Sequence, residues 1–187
     1  SDFPNRSNAW KGRLALGVGA SNGIGRATAV LMVKGGANVN FCARTSASFS
    51  DLCVELSGLG DGEHASLVLD LEDQAAIQSS IPVLLSQRGA VHILVNNAAG
   101  PPGGPLLGNT LNDFDAPFRR HLHAAHTLTQ LIVPGMEDAG YGRIIQIISP
   151  ANEQEDQGAD KQKQLVFYSR VFTVLLMVLS LFVTLFI

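Results

Sequence analysis

The sequence predicts an α/β domain built on a doubly wound, mostly parallel sheet. From Arg13 onward, short apolar runs alternate with helical stretches, a pattern typical of repeated β-α units. The apolar run at 14–18 breaks into a glycine-rich turn and then into alanine-rich helical sequence. A length of 187 residues suits one such domain with a sizeable core.

The composition excludes several classes of function. The net charge is −3 and no cluster of lysine and arginine occurs, so we expect no nucleic-acid partner. Cys42 lies in an apolar run and Cys53 in a helical segment, and their spacing fits neither a metal site nor a redox motif. Two reduced thiols indicate a cytoplasmic, or at least cytosol-facing, domain.

Each predicted strand in the first part of the chain is followed by a helix. The pair Gly35 and Gly36 ends the first helix, and Pro82 is compatible with the third helix only if that helix is kinked. The predicted strands are Leu14–Val18, Asn38–Ala43 and 65–69, and the predicted helices are 24–34, 49–59 and 72–87. In such a sheet the carboxyl ends of the strands share one edge, where ligands bind.

The next part of the chain adds two strands and one long helix. Thr110, with Asp113 three residues later, predicts the N-cap of that helix. The predicted segments are a strand at 93–95, an exposed loop at 101–109, a helix at about 116–139 and a fifth strand at 143–149.

The turn after the first strand contains three glycines in the spacing G-x-x-x-G-x-G. Gly19 allows the chain to turn sharply, Gly23 removes a Cβ that would hold a pyrophosphate away, and Gly25 allows the helix to pack close to the sheet. The start of that helix offers unpaired N–H groups to an anion. A tight turn without a ligand is the alternative. The flanking strand and helix favour a dinucleotide site that comprises Gly19, Ser21, Asn22, Gly23, Ile24 and Gly25.

Arg44 and Thr45 follow the second strand, at the position that reads the adenosine ribose of a dinucleotide. A carboxylate there favours NAD, whereas a guanidinium pairs with the additional phosphate of NADP. Arg44 therefore favours NADP(H), and a solvated surface arginine is the alternative.

Polar residues also follow the other strands. Asp70 is placed to accept a hydrogen bond from an adenine amino group, to cap the next helix, or to do both. Asn96 and Asn97 either brace neighbouring loops and line a nicotinamide pocket, or are ordinary turn residues. With Ser149 after the fifth strand, the polar features collect at one edge of the sheet.

Three histidines in the long helix do not predict a metal site. Metal-ligand pairs on a helix are spaced by three or four residues, and only His123 and His126 meet that condition. His121 lies elsewhere on the helix, and no acidic or cysteine side chain near them in sequence completes a ligand set. We expect no bound metal.

These motifs, taken together and in order, resemble the short-chain dehydrogenase/reductase family, and in particular its 3-oxoacyl-[acyl-carrier-protein] reductases. The resembling segments are 19–25, 70–71, 96–100, 134–136 and 142–149. The resemblance implies a Rossmann-like fold, an NADP(H) cofactor, hydride transfer with a small carbonyl substrate such as a 3-oxoacyl thioester, and a homo-oligomer. It extends the cofactor site to Asp70, Leu71, Asn97, Ala98, Ala99 and Gly100.

The catalytic residues implied by the resemblance are a serine, a tyrosine and a lysine four residues after that tyrosine. Ser149 matches the serine, but Gln162 stands where the tyrosine is usual, and the nearest tyrosine is Tyr168. Phe172 follows Tyr168 in place of the lysine, and a phenol of pKa ~10 is a poor base without a neighbouring cation. A catalytically silent nucleotide-binding protein is therefore the alternative function.

Two further positions depart from the family pattern. Val18 replaces a threonine whose hydroxyl would brace the segment at 96–97. His121 replaces an asparagine that organises a proton relay in the family, and an imidazole also relays protons with a different geometry.

The composition changes abruptly after Pro150, so we expect a nucleotide-binding domain at 1–150 that is truncated after the fifth strand. A polar linker follows at 151–164, and then an almost wholly apolar C-terminal helix at 165–187. This helix is long enough to cross a bilayer core of ~30 Å.

Three interpretations of the apolar segment stay open. The cations Lys161, Lys163 and Arg170 on its N-terminal side fit a membrane anchor with a cytosolic domain. The segment also suits a helix packed on the sheet, or the tail of a truncated or aberrantly joined product.

Overall fold

Five strands form one sheet in the computed structural model, which describes residues 8–21, 23–46, 49–60, 62–98 and 110–147. The strands are β1 (Leu14–Val18), β2 (Asn38–Ala43), β3 (Ala65–Val68), β4 (Ile93–Asn96) and β5 (Arg143–Gln146). Their order is β3-β2-β1-β4-β5, and every neighbouring pair is parallel. The parallel sheet predicted from the sequence is confirmed.

The helices connect successive strands. They are α1 (Gly23–Lys34), α2 (Ser50–Ser57), α3 (Gln74–Arg88), α4 (Asn112–Phe118) and α5 (Ala124–Asp138), with a π-helical turn, Arg119–His123, between α4 and α5. Because the order of strands runs one way from β1 to β3 and the other way from β1 to β5, the sheet has a topological switch point between β1 and β4.

Both faces of the sheet are covered, as the doubly wound prediction requires. On one face, α1 and α2 pack on β2 and β4 around Phe41, whose ring meets Phe49 edge to face at a centroid distance of 5.3 Å. On the other face, α3 and α5 pack on β1 around Leu16, Ile81 and Leu128. These two apolar clusters fix which side chains of each strand point to which helices.

The predicted helix at 116–139 corresponds to a helical run in which α4, the π-helical turn and α5 follow one another without a gap. Pro117 lies inside α4 and has no N–H to donate. Arg120 Nε donates to the carbonyl of Ala116 at 3.3 Å, so a side chain reaches a carbonyl of the helix where this interruption occurs. The sequence pattern showed the apolar face of the helix but not the interruption.

At the start of α3 and of α4, the structure differs from the helix caps that the sequence predicts. Asp73, and not Asp70, is the N-cap of α3, since its Oδ1 accepts from the N–H of Ala76 at 2.9 Å. In α4 the Thr110 side chain does not cap the helix. Instead, the N–H and the hydroxyl of Thr110 donate to Asp113 Oδ2 at 2.6 and 2.9 Å. These two hydrogen bonds lower the pKa of the Asp113 carboxyl.

β5 is the last strand of the sheet in the part of the chain that is described, and all four of its residues are exposed. Ile144 and Ile145 are 39% and 42% exposed. No helix among the described residues is long and apolar enough to cross a membrane. The predicted linker at 151–164 and apolar helix at 165–187 lie outside the described residues.

Candidate functional site

The glycine turn leaves β1 and immediately meets the ends of both neighbouring strands. Gly19 has a φ of +66°, which favours glycine, and its N–H donates to the carbonyl of Cys42 in β2 at 3.1 Å. A Cβ on Gly19 would overlap the carbonyl oxygen of Asn97, directly after β4. The turn is therefore held by the ends of β2 and β4, beside the switch point between β1 and β4.

Gly25 allows a close approach of α1 to the residues that directly follow β1 and β4. A Cβ on Gly25 would overlap the carbonyl oxygen of Gly19 and would lie 2.6 Å from Asn97 Nδ2. The same Asn97 Nδ2 donates to the carbonyl of Gly19 at 3.0 Å. Thus Gly25 packs the start of α1 against the turn itself and against Asn97, and Asn97 braces the turn.

Gly23 differs from the other two glycines because the space beside it is open. Its φ is +53°, and, apart from its chain neighbours and the backbone of α1, no described atom lies within 4 Å of the position that a Cβ would occupy. α1 begins at Gly23, and its first turn contains no acidic residue that would repel an anion. Ser21, which comes shortly before Gly23 in the sequence, is half-buried, and Ile24 is 60% exposed. Asn22, which the sequence predicts to contact the dinucleotide, lies outside the described residues.

Arg44 and Thr45 are exposed and directly follow β2. Arg44 comes two residues after Cys42, whose carbonyl is bonded to the glycine turn, so both features lie at the same end of β2. The guanidinium forms no ion pair with any residue that the structure describes. The guanidinium of Arg44 thus lies at the carboxyl edge of the sheet, as the sequence predicts.

Asp70 lies at the same edge, and one of its carboxylate oxygens is occupied. Its Oδ1 accepts from the N–H of Glu72 at 3.0 Å, which holds the carboxylate in a short turn before α3. Leu69 N–H donates to the carbonyl of Ala43 at 3.0 Å, so the ends of β3 and β2 lie side by side. Leu71 is half-buried and packs against the cluster of α3 and α5.

Asn96 is buried at the end of β4, and its Nδ2 has no hydrogen-bond partner among the described residues. The register pairs Gly17 with Val95, and its continuation sets Val18 opposite Asn96. Val18 is buried and offers no acceptor. The described Ala98 is half-buried, whereas Ala99 and Gly100 lie outside the described residues.

The π-helical turn, Arg119–His123, joins α4 to α5. Such turns occur often at functional sites, and the sequence carried no signal for this one beyond Pro117. His121 in this turn is half-buried, and His123 and His126 are exposed. Within the described part of the chain, no three His, Cys, Asp or Glu residues are grouped to hold a metal ion.

The candidate catalytic residues Ser149 and Tyr168 lie outside the described residues, so they stay predictions. The Cys42 thiol, by contrast, is placed at the site edge but buried, and this burial raises its pKa to about 12. A thiol in that state is a packing group and not a nucleophile.

An open parallel sheet with a glycine turn at its switch point, followed by a helix N-terminus, defines a Rossmann-like α/β domain. The sequence pattern of the short chain dehydrogenases matches residues 13–160. The chain therefore belongs to the short-chain dehydrogenase family, as its motifs predicted.

Individual relatives agree with this assignment. The chain is 35% identical over 144 residues to an L-xylulose reductase of Mesocricetus auratus, a match that covers 76% of this chain and 55% of the relative. It is 30% identical over 139 residues to a 3-oxoacyl-[acyl-carrier-protein] reductase of Thermotoga maritima, covering 74% and 56%. The chain thus spans about half the length of these relatives.

Solved structures share the fold. A metagenomic short-chain oxidoreductase in complex with NADP is 33% identical to this chain, with a TM-score of 0.67 and coverage of 72% of this chain and 60% of the other.

Proposed function

We propose that this chain binds NADP(H) and contributes to a short-chain reductase that exchanges hydride with a small carbonyl or hydroxyl substrate. The observation that carries the proposal is the opening at Gly23, where α1 begins beside a turn held by Asn97, at the same sheet edge as Arg44. Family membership supports it, since the family's members are dehydrogenases.

The residues present fit the cofactor. The unpaired N–H groups at the start of α1 would hold the pyrophosphate, because a side chain at Gly23 is absent and the first turn carries no acid. The exposed guanidinium of Arg44 would pair with the additional phosphate of NADP. Asp70 has Oδ1 occupied by a backbone N–H, and its other oxygen would accept from the adenine amino group.

When bound, the nicotinamide supplies or accepts the hydride. The half-buried His121, in the π-helical turn, would then move protons to or from the substrate side of the site. Ser149 would hold the substrate oxygen, and Tyr168 would exchange its proton.

Two substrate classes are supported by the relatives. One relative is a 3-oxoacyl-[acyl-carrier-protein] reductase, which agrees with the proposed 3-oxoacyl thioester. Another is an L-xylulose reductase, which extends the proposal to small polyhydroxy ketones. Both classes present a ketone for reduction.

A catalytically silent nucleotide-binding protein is the second candidate function. It is favoured by Gln162 and Phe172, which stand where the family pattern expects a tyrosine and, after Tyr168, a lysine. Without a cation near the phenol, proton transfer from Tyr168 is weak.

Titration calorimetry with NADPH and NADH, followed by NADPH-oxidation assays with 3-oxoacyl thioesters and small ketoses, tests both candidates. The reductase predicts NADPH binding and turnover of at least one substrate. Binding without any turnover supports the silent protein instead. Failure to bind either nucleotide contradicts both.

A further inference from the structure

The amino edge of the sheet, opposite the proposed nucleotide site, contains two histidines in equivalent positions. His64 directly precedes β3, and His92 directly precedes β4. Continuing the strand registers by one residue sets His64 opposite Val39 and His92 opposite Leu14. Each histidine therefore stands at the point where a ladder of backbone hydrogen bonds begins.

Both side chains accept a hydrogen bond from the backbone of the neighbouring strand. His92 Nδ1 accepts from the N–H of Leu14, the first residue of β1, at 3.1 Å. His64 Nδ1 accepts from the N–H of Val39, the second residue of β2, at 3.2 Å. An imidazole nitrogen accepts only when it carries no proton, so both rings are neutral with hydrogen on Nε2.

Arginines surround His92 from two elements. Arg13, directly before β1, lies over the Tyr141 ring at 3.2 Å from the guanidinium carbon to the ring centroid, and Arg143 of β5 lies at 4.7 Å. The Tyr141 ring centroid is 6.4 Å from that of His92. Burial, and then the charge of Arg13, lowers the pKa of His92 below its ordinary value of 6.5.

His64 faces the end of α3 in a similar environment. Arg88, the last residue of α3, donates to Glu63 Oε2 and to the Glu63 carbonyl, both at 2.8 Å. Burial, and then the charge of Arg88, lowers the pKa of His64 below 6.5. The neighbouring Glu63 carboxylate is paired with Arg88, and His64 Nε2 is buried with no hydrogen-bond partner among the described residues, so no carboxylate among them bonds this nitrogen.

We propose that His64 and His92 are a pair of pH-sensitive sheet caps, which hold the amino ends of β2 and β1 when neutral and release them when protonated. Protonation puts a hydrogen on each Nδ1, which then faces an N–H donor and loses its bond. The unfolded chain binds these protons more readily than the folded chain does. The caps therefore stabilise the fold fully above pH 6.5, and their contribution is lost as the pH falls from 6.5 through the lower pKa values of the folded state.

Asparagine is the informative replacement, because Oδ1 of asparagine accepts in nearly the same place as Nδ1 and does not titrate. We would measure urea unfolding of the full chain from pH 8 to pH 5 for the wild type, His64→Asn, His92→Asn and the double variant. His126→Asn, at an exposed position on α5, is the matched control.

Proton uptake on unfolding, obtained from the pH dependence of stability, is the expected difference. Each cap contributes to proton uptake between the lowered pKa of the folded state and pH 6.5, so the double variant should take up fewer protons on unfolding than the wild type does. His126→Asn should keep the part of the uptake that the caps supply. His92→Leu should be less stable even at pH 8, since it removes the acceptor. An unchanged pH dependence in the double variant would overturn the proposal, and so would wild-type stability of His92→Leu at pH 8.

Discussion

Asn97 links the glycine turn to the end of β4 through its side chain and its backbone. Its Nδ2 bonds the Gly19 carbonyl, and its own carbonyl occupies the place of a Cβ on Gly19. The sequence predicted the glycine turn because the spacing of its three glycines is a local pattern. It could not identify Asn97 as the shared neighbour of Gly19 and Gly25, because 78 residues separate Asn97 from Gly19.

Arg44 is the residue on which cofactor preference is predicted to depend. We expect Arg44→Ala to weaken NADPH binding by more than about 1 kcal/mol, and to leave NADH binding nearly unchanged, because only NADPH offers the additional phosphate. Titration calorimetry with both nucleotides measures the two affinities. Lys34→Ala, an exposed change of the same charge at the far end of α1, should affect neither. Equal losses for NADPH and NADH in Arg44→Ala would contradict the assignment.

Val18 offers no acceptor to the buried amide of Asn96, whose Nδ2 has no partner in the part of the chain that the structure describes. Val39→Thr, which buries a hydroxyl among apolar groups, should lower the free energy of unfolding by about 1–3 kcal/mol. Val18→Thr should cost at least about 1 kcal/mol less than that, because its hydroxyl would stand opposite the unpaired Nδ2 of Asn96. Urea denaturation of both variants provides the comparison. An equal loss of unfolding free energy in the two variants would show that the threonine hydroxyl at position 18 does not reach the Asn96 amide.

At the scale of single elements, the start of α3 shows why a cap is hard to place from sequence. Asp70 and Asp73 are both aspartates just before a helical pattern, and each accepts a backbone N–H. Only Asp73 has an extended backbone, with φ −92° and ψ 93°, and bonds the N–H three residues on. The sequence therefore located the helix start to within a few residues but not its cap.

Asp73→Ala should lower the free energy of unfolding by about 1 kcal/mol, because the N–H of Ala76 loses its acceptor at the start of α3. Asp73→Asn keeps an acceptor oxygen and should cost much less. Thermal or urea denaturation distinguishes the two variants. If both lose the same stability, the charge of Asp73, and not its hydrogen bond, is what stabilises α3.

The π-helical turn is a second feature that the sequence pattern did not predict. Within α5, Leu128, Ile132 and Met136 are buried as a helix of that period requires, whereas no residue of the π-helical turn is buried. The interruption depends on Pro117 and on the bond from Arg120 to the Ala116 carbonyl. Periodicity does not report such local hydrogen bonding, so it predicted the helical run but not the π-helical turn within it.

At the scale of the whole molecule, the alternation of apolar runs and helices was enough to predict the five-stranded parallel sheet. The strand order brings β4 next to β1 in parallel register, although β1 ends at Val18 and β4 begins at Ile93, after two intervening strands and three helices. The caps at His64 and His92 depend on the same register. A local sequence pattern does not predict such contacts between residues that are distant in the sequence.

The two apolar clusters lie on opposite faces of one sheet, so we expect them to unfold together while responding independently to small changes. Ile81→Val, in α3, and Ile93→Val, in β4 on the face that α1 and α2 cover, should each lower the free energy of unfolding by about 0.5–1.5 kcal/mol.

The double variant should lose the sum of the two single losses to within about 0.5 kcal/mol, because the side chains belong to separate clusters. Val83→Ala, at a position 53% exposed, should change stability by less than about 0.5 kcal/mol and serves as the control. Urea denaturation followed by both circular dichroism and the fluorescence of Trp10 measures these values. A single shared transition with additive losses would show one cooperative domain. Two separate transitions would show that the sheet does not couple its faces, since each cluster would then unfold on its own.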